Sequence, residues 1–442
     1  MAMRAIPATP DAGTNPPASR AAAPSQSPAR AAAQRTTGSG PGLCWVLISA
    51  IHYHDARFDC FARETPYRLS MIQITDNDLF AALSPDVERG SFSRQTLFPA
   101  SSWREIDSRK LARSLHRQLD ALSPAIVCIN GWSVGGCIAS LDWCLRQRVP
   151  VVLFSDSSEH DEPRRWWKEA IKGRIVRLCS AALIAGKSHR RYVEKLGMPA
   201  QRIFDGYDVV DNAHFEDGAD AARCQDASLR ASLGLPANYF IACSRFEAKK
   251  NLLGMLDAYA IYRQKAGAGC WPLIILGDGP QCEREALEAR RRQLGLDDDV
   301  QLPGFKSYRE LPIYYGLARA FLHLSTVDQW ALVVNEAMAS GLPVIVSRRC
   351  GSAAELVIDG VNGFTVEPDD HLGIADAMVQ IATGGERRRA MGQESRRIIA
   401  GWGPQRFARN LAAAVAAAEA APRPAIHLLD RIILWMVRAR SN

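Results

Sequence analysis

The 442-residue chain contains no charge-free apolar run of about 18 residues, which excludes a helix able to span a bilayer. None of its eleven cysteines forms a CxxC pair, and they lie far apart. That argues against a zinc site or a disulfide scaffold and for a reducing compartment. Excess charge is small, with 54 Lys and Arg against 47 Asp and Glu and a formal net charge of +7. Four of those arginines fall in the first forty residues, so the remainder is only mildly basic, too weakly for nucleic-acid binding. The first forty residues lack any aromatic side chain and hold twelve Ala and six Pro. Such a stretch buries too little apolar surface to offset its ordering entropy, and residues 1–40 are expected to form a disordered tail. No apolar h-region follows Met1 to Arg4, so a secretory signal is not expected and the expected location is cytoplasmic.

From Leu43 onward the pattern is alternation. Short β-rich apolar runs are followed by longer amphipathic stretches such as 103–121 and 164–179. The first series of expected strands is 44–51, 71–75, 126–130, 151–155, 182–185 and 203–210. A second series is 239–243, 273–276, 300–303, 320–324, 343–346 and 363–366. Apolar strands alternating with helices predict parallel sheets covered on both faces. The length suits two cores of roughly 150–200 residues each. The expected fold class is therefore α/β, with two doubly wound, Rossmann-like domains over 41–212 and 213–404, joined near Asp211–Phe215. Ligands of such sheets sit beyond the carboxyl ends of the strands, which points to the cleft between the domains.

The most informative stretch is AFLHLSTVDQWALVVNEAMASGLPVIVS, residues 320–347. A strand is expected to end at Leu324, a loop to carry Asp328, and a helix to start near Val334 with Glu336 in its first turn. Its N-terminus would offer unpaired amides to a phosphate. A carboxylate at Glu336 can accept two hydrogen bonds from a vicinal diol such as ribose. The plainer alternative is a loop acid and a glutamate that merely favours the helix dipole. Upstream, Arg245 and Lys250 follow a strand end, where two cations could hold a diphosphate leaving group or else sit in solvent. Gly277 and Gly279 in LGDGP would permit close backbone approach, or make a simple turn.

These motifs come in a fixed order: Arg245 to Asn251, LIILGDGP, LPGF, Asp328-x7-Glu336, GLPVIVS and CGSAAELVIDGVNGFTVEPDD. Together they resemble the carboxyl-terminal domain of the family-4 retaining glycosyltransferases (glycosyl transferases group 1), which have the GT-B fold. The likeness runs from about Tyr239 to Asp370, and Trp402–Ala408 resembles the start of the family's crossover helix, placing that helix at 405–421 with a basic amphipathic tail at 422–442. The resemblance implies that Glu336 binds the ribose of a nucleoside-diphosphate sugar and that Asp328 lies near its sugar. It implies that Arg245 and Lys250 take the diphosphate, that amides of Leu332, Val333 and Val334 touch phosphate, and that the backbone at Phe305 and Lys306 meets the base. It also implies retention of configuration with neither metal nor cofactor, the nucleotide sugar being a substrate. This chain departs from the family at Asp328, usually Glu, and at Ala331 and Cys350, where Gly is common. The family's glycine-rich first loop is replaced by Ile51 to Arg57, and its frequent histidine by Gly131-Trp132.

The acceptor side offers fewer signals. His52, His54 and Arg57 follow one expected strand end and Trp132 another, each a candidate acceptor contact. His160 and Asp161, in SDSSEHDEPRRWWK, could orient or deprotonate an acceptor hydroxyl, although acids ahead of Pro163 also suit a helix N-terminus. Two rival readings differ in class. One is a metal-dependent transferase using Asp76-Asn77-Asp78, with Asp297-Asp298-Asp299 a second chance match; the other is a degenerate protein that binds a nucleotide sugar without turnover. A sugar-nucleotide epimerase on the same fold fits the motif order less well. Expected partners are a nucleotide-sugar donor and a glycan or lipid-linked acceptor, in bacterial surface polysaccharide or glycolipid synthesis at the inner face of the plasma membrane. The tail IHLLDRIILWMVRAR (Ile426–Arg440) and the Trp166-Trp167 segment are expected to reach a membrane surface, the alternative for the tail being a last helix packed on the protein.

Overall fold

The apolar runs become central strands because helices cover both faces of each sheet. The computed structural model describes residues 39–76 and 92–440. The expected disordered tail, except for its last two residues, lies outside the described residues, as do Asn77 and Asp78. Among the described residues, one parallel sheet comprises β1 (Gly42–Leu47), β2 (Arg68–Gln73), β3 (Ser93–Thr96), β4 (Ile126–Asn130), β5 (Val151–Ser155), β6 (Ala181–Ile184) and β7 (Ile203–Phe204). Their spatial order is 3-2-1-4-5-6-7. The register places Trp45 of β1 between Met71 of β2 and Cys128 of β4. Helices α1 (His52–Glu64), α2 (Ser108–Leu122), α3 (Gly135–Gln147), α4 (Trp166–Leu178) and α5 (Lys187–Lys195) belong to this domain.

After α6 (Asn212–Cys224) and α7 (Asp226–Leu233) comes a second parallel sheet: β8 (Phe240–Cys243), β9 (Leu273–Leu276), β10 (Val300–Gly304), β11 (Ala320–His323), β12 (Val344–Ser347) and β13 (Gly363–Val366), in the order 10-9-8-11-12-13. Its helices are α8 (Leu252–Ala266), α9 (Gln281–Gln293), α10 (Leu311–Leu317), α11 (Leu332–Ala339), α12 (Ala353–Leu356), α13 (His371–Thr383) and α14 (Gly385–Ile399). Local chemistry sets several starts. Asp107 caps α2 by accepting from the Lys110 amide at 2.8 Å, and Asp370 caps α13 by accepting from Gly373 at 2.9 Å.

The last two helices return to the first domain. α15 (Pro404–Ala420) lays Phe407, Leu411 and Val415 into the core that holds Trp45 and Phe58, on the α1 face of the first sheet. α16 (Leu428–Arg440) packs Ile433 and Leu434 into the core on the opposite face, beside α3 and α4.

Two elements differ from expectation. β3 was not expected because Ser93–Thr96 is polar, and it pairs only with β2 at the sheet edge, where an apolar run is not needed. The expected strand 203–210 stops at Phe204, because Gly206 turns the chain at φ +89. Val209 packs in the first domain's core and Val210 in the second's, so the chain crosses between them there.

Candidate functional site

Each sheet reverses its strand order once, between β1 and β4 and between β8 and β11. Crevices of open parallel sheets lie beyond the carboxyl ends at such points. The loop after β8 supplies Lys250 and the loop after β11 supplies Asp328. Lys250 Nζ donates to Asp328 Oδ2 at 2.6 Å. The same oxygen lies 2.8 Å from His323 Nε2, which in turn is 2.9 Å from Ser325 Oγ. Burial alone would raise the Asp328 carboxyl. The hydrogen bond with His323 and the Lys250 ammonium overcome that and hold it well below the usual carboxylate range. Asp328 is thus an anion clamped by a cation at the strand-order reversal. Sequence reasoning missed His323. The available signal was one polar ring in an otherwise apolar strand, five positions before Asp328.

Arg245 leaves the same loop as Lys250 and pairs with Glu247 at 2.8 Å. The glycines behind it explain the loop's position. A Cβ on Gly277, at φ +132, would stand 1.8 Å from the Ser244 carbonyl oxygen, and one on Gly279 would stand 2.4 Å from that of Phe246. The close backbone approach expected at these glycines is therefore made by the arginine-bearing loop. Phe305 is exposed after β10, and Lys306 Nζ lies 5.3 Å from the Tyr314 ring centroid.

α11 starts at Leu332, two residues earlier than expected, so Glu336 stands in its second turn. The Leu332 and Val333 amides open the first turn, while the Val334 amide donates to the Ala331 carbonyl at 3.0 Å. Ala331, just ahead of the helix, is left-handed at φ 69. Glu336 is fully buried. Tyr315 Oη donates to it at 2.8 Å, and Tyr53 Oη donates to its other oxygen from across the cleft. Burial raises the Glu336 carboxyl to about 7 against these two hydrogen bonds. Neither tyrosine was identified from sequence, although His52, His54 and Arg57 around Tyr53 were.

The residues after β1 form the start of α1, not the loop expected there. His52 is packed against Tyr308 of the second domain, ring centroids 3.9 Å apart. Burial, with His214 and Arg57 nearby, lowers the His52 ring to about 3, so it is neutral at pH 7. His54 Nδ1 accepts from the Ile51 amide at 3.1 Å, and its ring meets Trp45 edge-on. Arg57 is buried, donating to the Val209 carbonyl at 2.9 Å and pairing with Asp208 at 3.4 Å. Burial raises Asp208 to about 7 despite that arginine. His54 and Arg57 are ties inside the first domain, and the acceptor contact expected of them is corrected on that ground.

Trp132 and Asp161 do come together. They line a cavity of about 560 Å³ with Arg164, Trp167 and Lys172 of the first domain and Gln329 of the second. The Asp161 carboxylate accepts from the Ser158 amide at 2.8 Å and its hydroxyl at 2.7 Å. His160 is exposed and is not part of that lining. Among the described residues no three His, Cys, Asp or Glu side chains gather as a metal cluster. Asp297 and Asp299 pair instead with Arg291 at 3.4 Å and Arg263 at 2.8 Å.

Residues 227–398 match the family model described as glycosyl transferases group 1. The chain is 25% identical to the alpha-D-kanosaminyltransferase of Streptomyces kanamyceticus, over 56% of this chain and 61% of that one. It is 30% identical to the GDP-mannose:cellobiosyl-diphosphopolyprenol alpha-mannosyltransferase of Komagataeibacter xylinus, over 35% and 38%. The match thus spans less than two thirds of either relative. In fold it is similar to Anabaena HepE, solved with UDP, at a TM-score of 0.69 and 17% identity, covering 86% of this chain and all of that one.

Proposed function

We propose that this chain, a member of the glycosyl transferases group 1 through residues 227–398 and a GT-B protein by fold, moves a hexose-type sugar from a nucleoside-diphosphate sugar to a glycan or glycolipid acceptor. The setting is bacterial surface polysaccharide or glycolipid synthesis. One observation carries the reading: Lys250 and Asp328 meet beyond β8 and β11, with Arg245 on the same loop and the first turn of α11 following Asp328.

The chemistry follows from charge. As the bond to the donor sugar breaks, negative charge grows on the departing diphosphate. The Lys250 ammonium, the Arg245 guanidinium and the opening amides of α11 are placed to take it up, each such donor contributing roughly 2.7–4 kcal/mol at comparable sites. Donor arrival draws Lys250 from Asp328 toward phosphate and frees that carboxylate to face the sugar. Glu336 exchanges the tyrosine hydroxyls for the ribose diol. The acceptor enters the cavity beside Trp132 and Asp161 and attacks from the face of the departing phosphate, which takes its proton. This gives retention of configuration without a metal.

A second reading, nucleotide-sugar binding without turnover, is favoured by Asp328, one methylene shorter than the family's usual glutamate and engaged by Lys250 and His323. The two separate on one screen. Thermal stability is measured against UDP- and GDP-sugars, where a ligand at 100 times its Kd adds about 2.7 kcal/mol. Each stabilising donor is then incubated with lipid extracts and oligosaccharides. Stabilisation with sugar transfer supports the transferase, stabilisation with no product from any acceptor supports the binder, and no stabilisation by any nucleotide sugar defeats both.

A further inference from the structure

α16 is apolar on two sides. Its inner face packs against α3 and α4 through Ile433 and Leu434, and Asp430 is buried in an ion pair with Arg174 at 2.7 Å. Its outer face carries Leu428, Ile432 and Trp435, spaced by four and three residues and therefore in one stripe along the helix. Trp435 is 59% exposed and Leu428 75%. At the start of α4, Trp166 is 83% exposed and Trp167 38%. α16 and α4 touch, with Arg174 on Asp430, and Val437 from the inner side of α16 lines the acceptor-side cavity with Trp167, so both helices border that cavity. Of the twelve large apolar side chains exposed among the described residues, six lie on these two helices. Scattered exposed apolar residues need no explanation, but a cluster of this kind does.

Charge identifies what covers it. Arg431 and Arg438 flank the stripe and, with Arg146 of α3, border one small pocket beside Trp435. The nearby acids are already engaged, Asp142 by Arg146 at 2.6 Å and Glu162 by Lys172 at 2.9 Å. An apolar stripe edged by cations and ending in indoles matches the headgroup region of an anionic leaflet. The thirteen residues of α16 rise about 20 Å, short of a hydrocarbon core of about 30 Å, and the inner face is already occupied by protein. We propose that the outer face of α16, with Trp166 and Trp167, seats this chain on an anionic bilayer and holds the Trp132 cavity at the lipid surface. The acceptor class that fits is a lipid-borne headgroup. That last step rests on the transferase reading, whereas the docking itself does not.

The test is co-sedimentation of the full-length chain with vesicles of phosphatidylcholine alone and of phosphatidylcholine with phosphatidylglycerol. Binding is expected to the anionic vesicles and to weaken with salt. Arg431→Gln and Arg438→Gln should each lower partitioning about fivefold, the equivalent of ~1 kcal/mol. Ile432→Glu with Trp435→Glu should abolish it. All these side chains point away from the core, so an unchanged thermal midpoint and unchanged UDP binding certify the fold. Equal partitioning by parent and variants, or no binding to anionic vesicles at low salt, overturns the proposal. So does a parent that is dimeric without vesicles while the double glutamate variant is monomeric, since the stripe is then a self-association face. UDP binding is read separately, so a failed donor site and a failed membrane surface are distinguishable.

Discussion

Tyr53, on the first helix of the first domain, donates its hydroxyl to Glu336 of the second, and the two residues are 283 positions apart in the chain. The phenol thus occupies a carboxylate oxygen that a ribose diol would use. Tyr53→Phe leaves a buried carboxylate with one donor fewer and should cost about 1.5–3 kcal/mol of stability. It also removes a competitor, so UDP should bind at least as tightly as in the parent. Weaker UDP binding by calorimetry would mean that Tyr53 contacts the nucleotide itself.

Glu336 sets a pH dependence of definite sign. Its folded carboxyl is raised to about 7, above the ordinary glutamate value, so the folded state holds a proton there that the unfolded state has released. Its contribution to stability is present below the ordinary value and is lost as pH rises toward 7. Asp328, held low, has the opposite sign, contributing above the ordinary aspartate value and losing it in acid. Glu336→Gln removes the first effect alone. Its stability relative to the parent should rise by roughly 2 kcal/mol between about pH 5 and pH 8. A difference independent of pH in thermal melts would contradict the assignment.

Lys250 and Arg245 should matter more for turnover than for donor binding, because charge develops on the diphosphate as the bond breaks. Arg245→Ala and Lys250→Met should each lower kcat by roughly 100- to 1,000-fold. The lysine change also strips the buried Asp328 of its cation, so its melting point should fall while that of Arg245→Ala should not. Either variant retaining about half the parent rate would remove its residue from the mechanism.

Ala331 precedes α11 in a left-handed conformation that costs an L-residue roughly 1–2 kcal/mol. Glycine would relieve that cost while adding about 0.4–1 kcal/mol of unfolded-state entropy. The relief outweighs the added entropy, so Ala331→Gly should stabilise by about 0.5 kcal/mol, with UDP affinity unchanged because the opening amides of α11 stay in place. A lower melting point in a denaturation series would show that the Ala331 methyl makes packing contacts worth more than the strain.

The central strands were legible because each is a continuous apolar run, and two such series meant two sheets. β3 was not, since an edge strand of Ser93–Thr96 gives no apolar signal. Arg245, Lys250, Asp328 and Glu336 could be picked out because each lies within a few residues of a strand end or a helix start. Their partners could not. His323 closes a buried apolar strand, where a polar ring reads as core, Tyr315 sits inside a short helix, and Tyr53 comes from the other domain. The two tyrosine pairings arise only when distant segments meet. The same holds for Arg57, whose charge suggested an open site but whose partner Asp208 lies 151 positions away in the interior.

The chain passes between the two domains at Val209–Val210 and again ahead of α15. These passages lie side by side, for Asn212 Nδ2 donates to the Ile399 carbonyl at 2.8 Å. Two neighbouring links act as a door hinge does, permitting swing about one axis and resisting twist and slide. Close to that axis, Tyr53 on Glu336 and the Lys187 amide on Glu355, at 2.6 Å, tie the two leaves together, for Asn335 beside Glu336 donates to the Asp208 carbonyl at 3.3 Å and Trp330 near Glu355 lies 5.2 Å from Trp402, ring centroid to centroid. Latches this near the pin work on a short lever arm, so the small displacement that parts one of them becomes a wide swing at the rim.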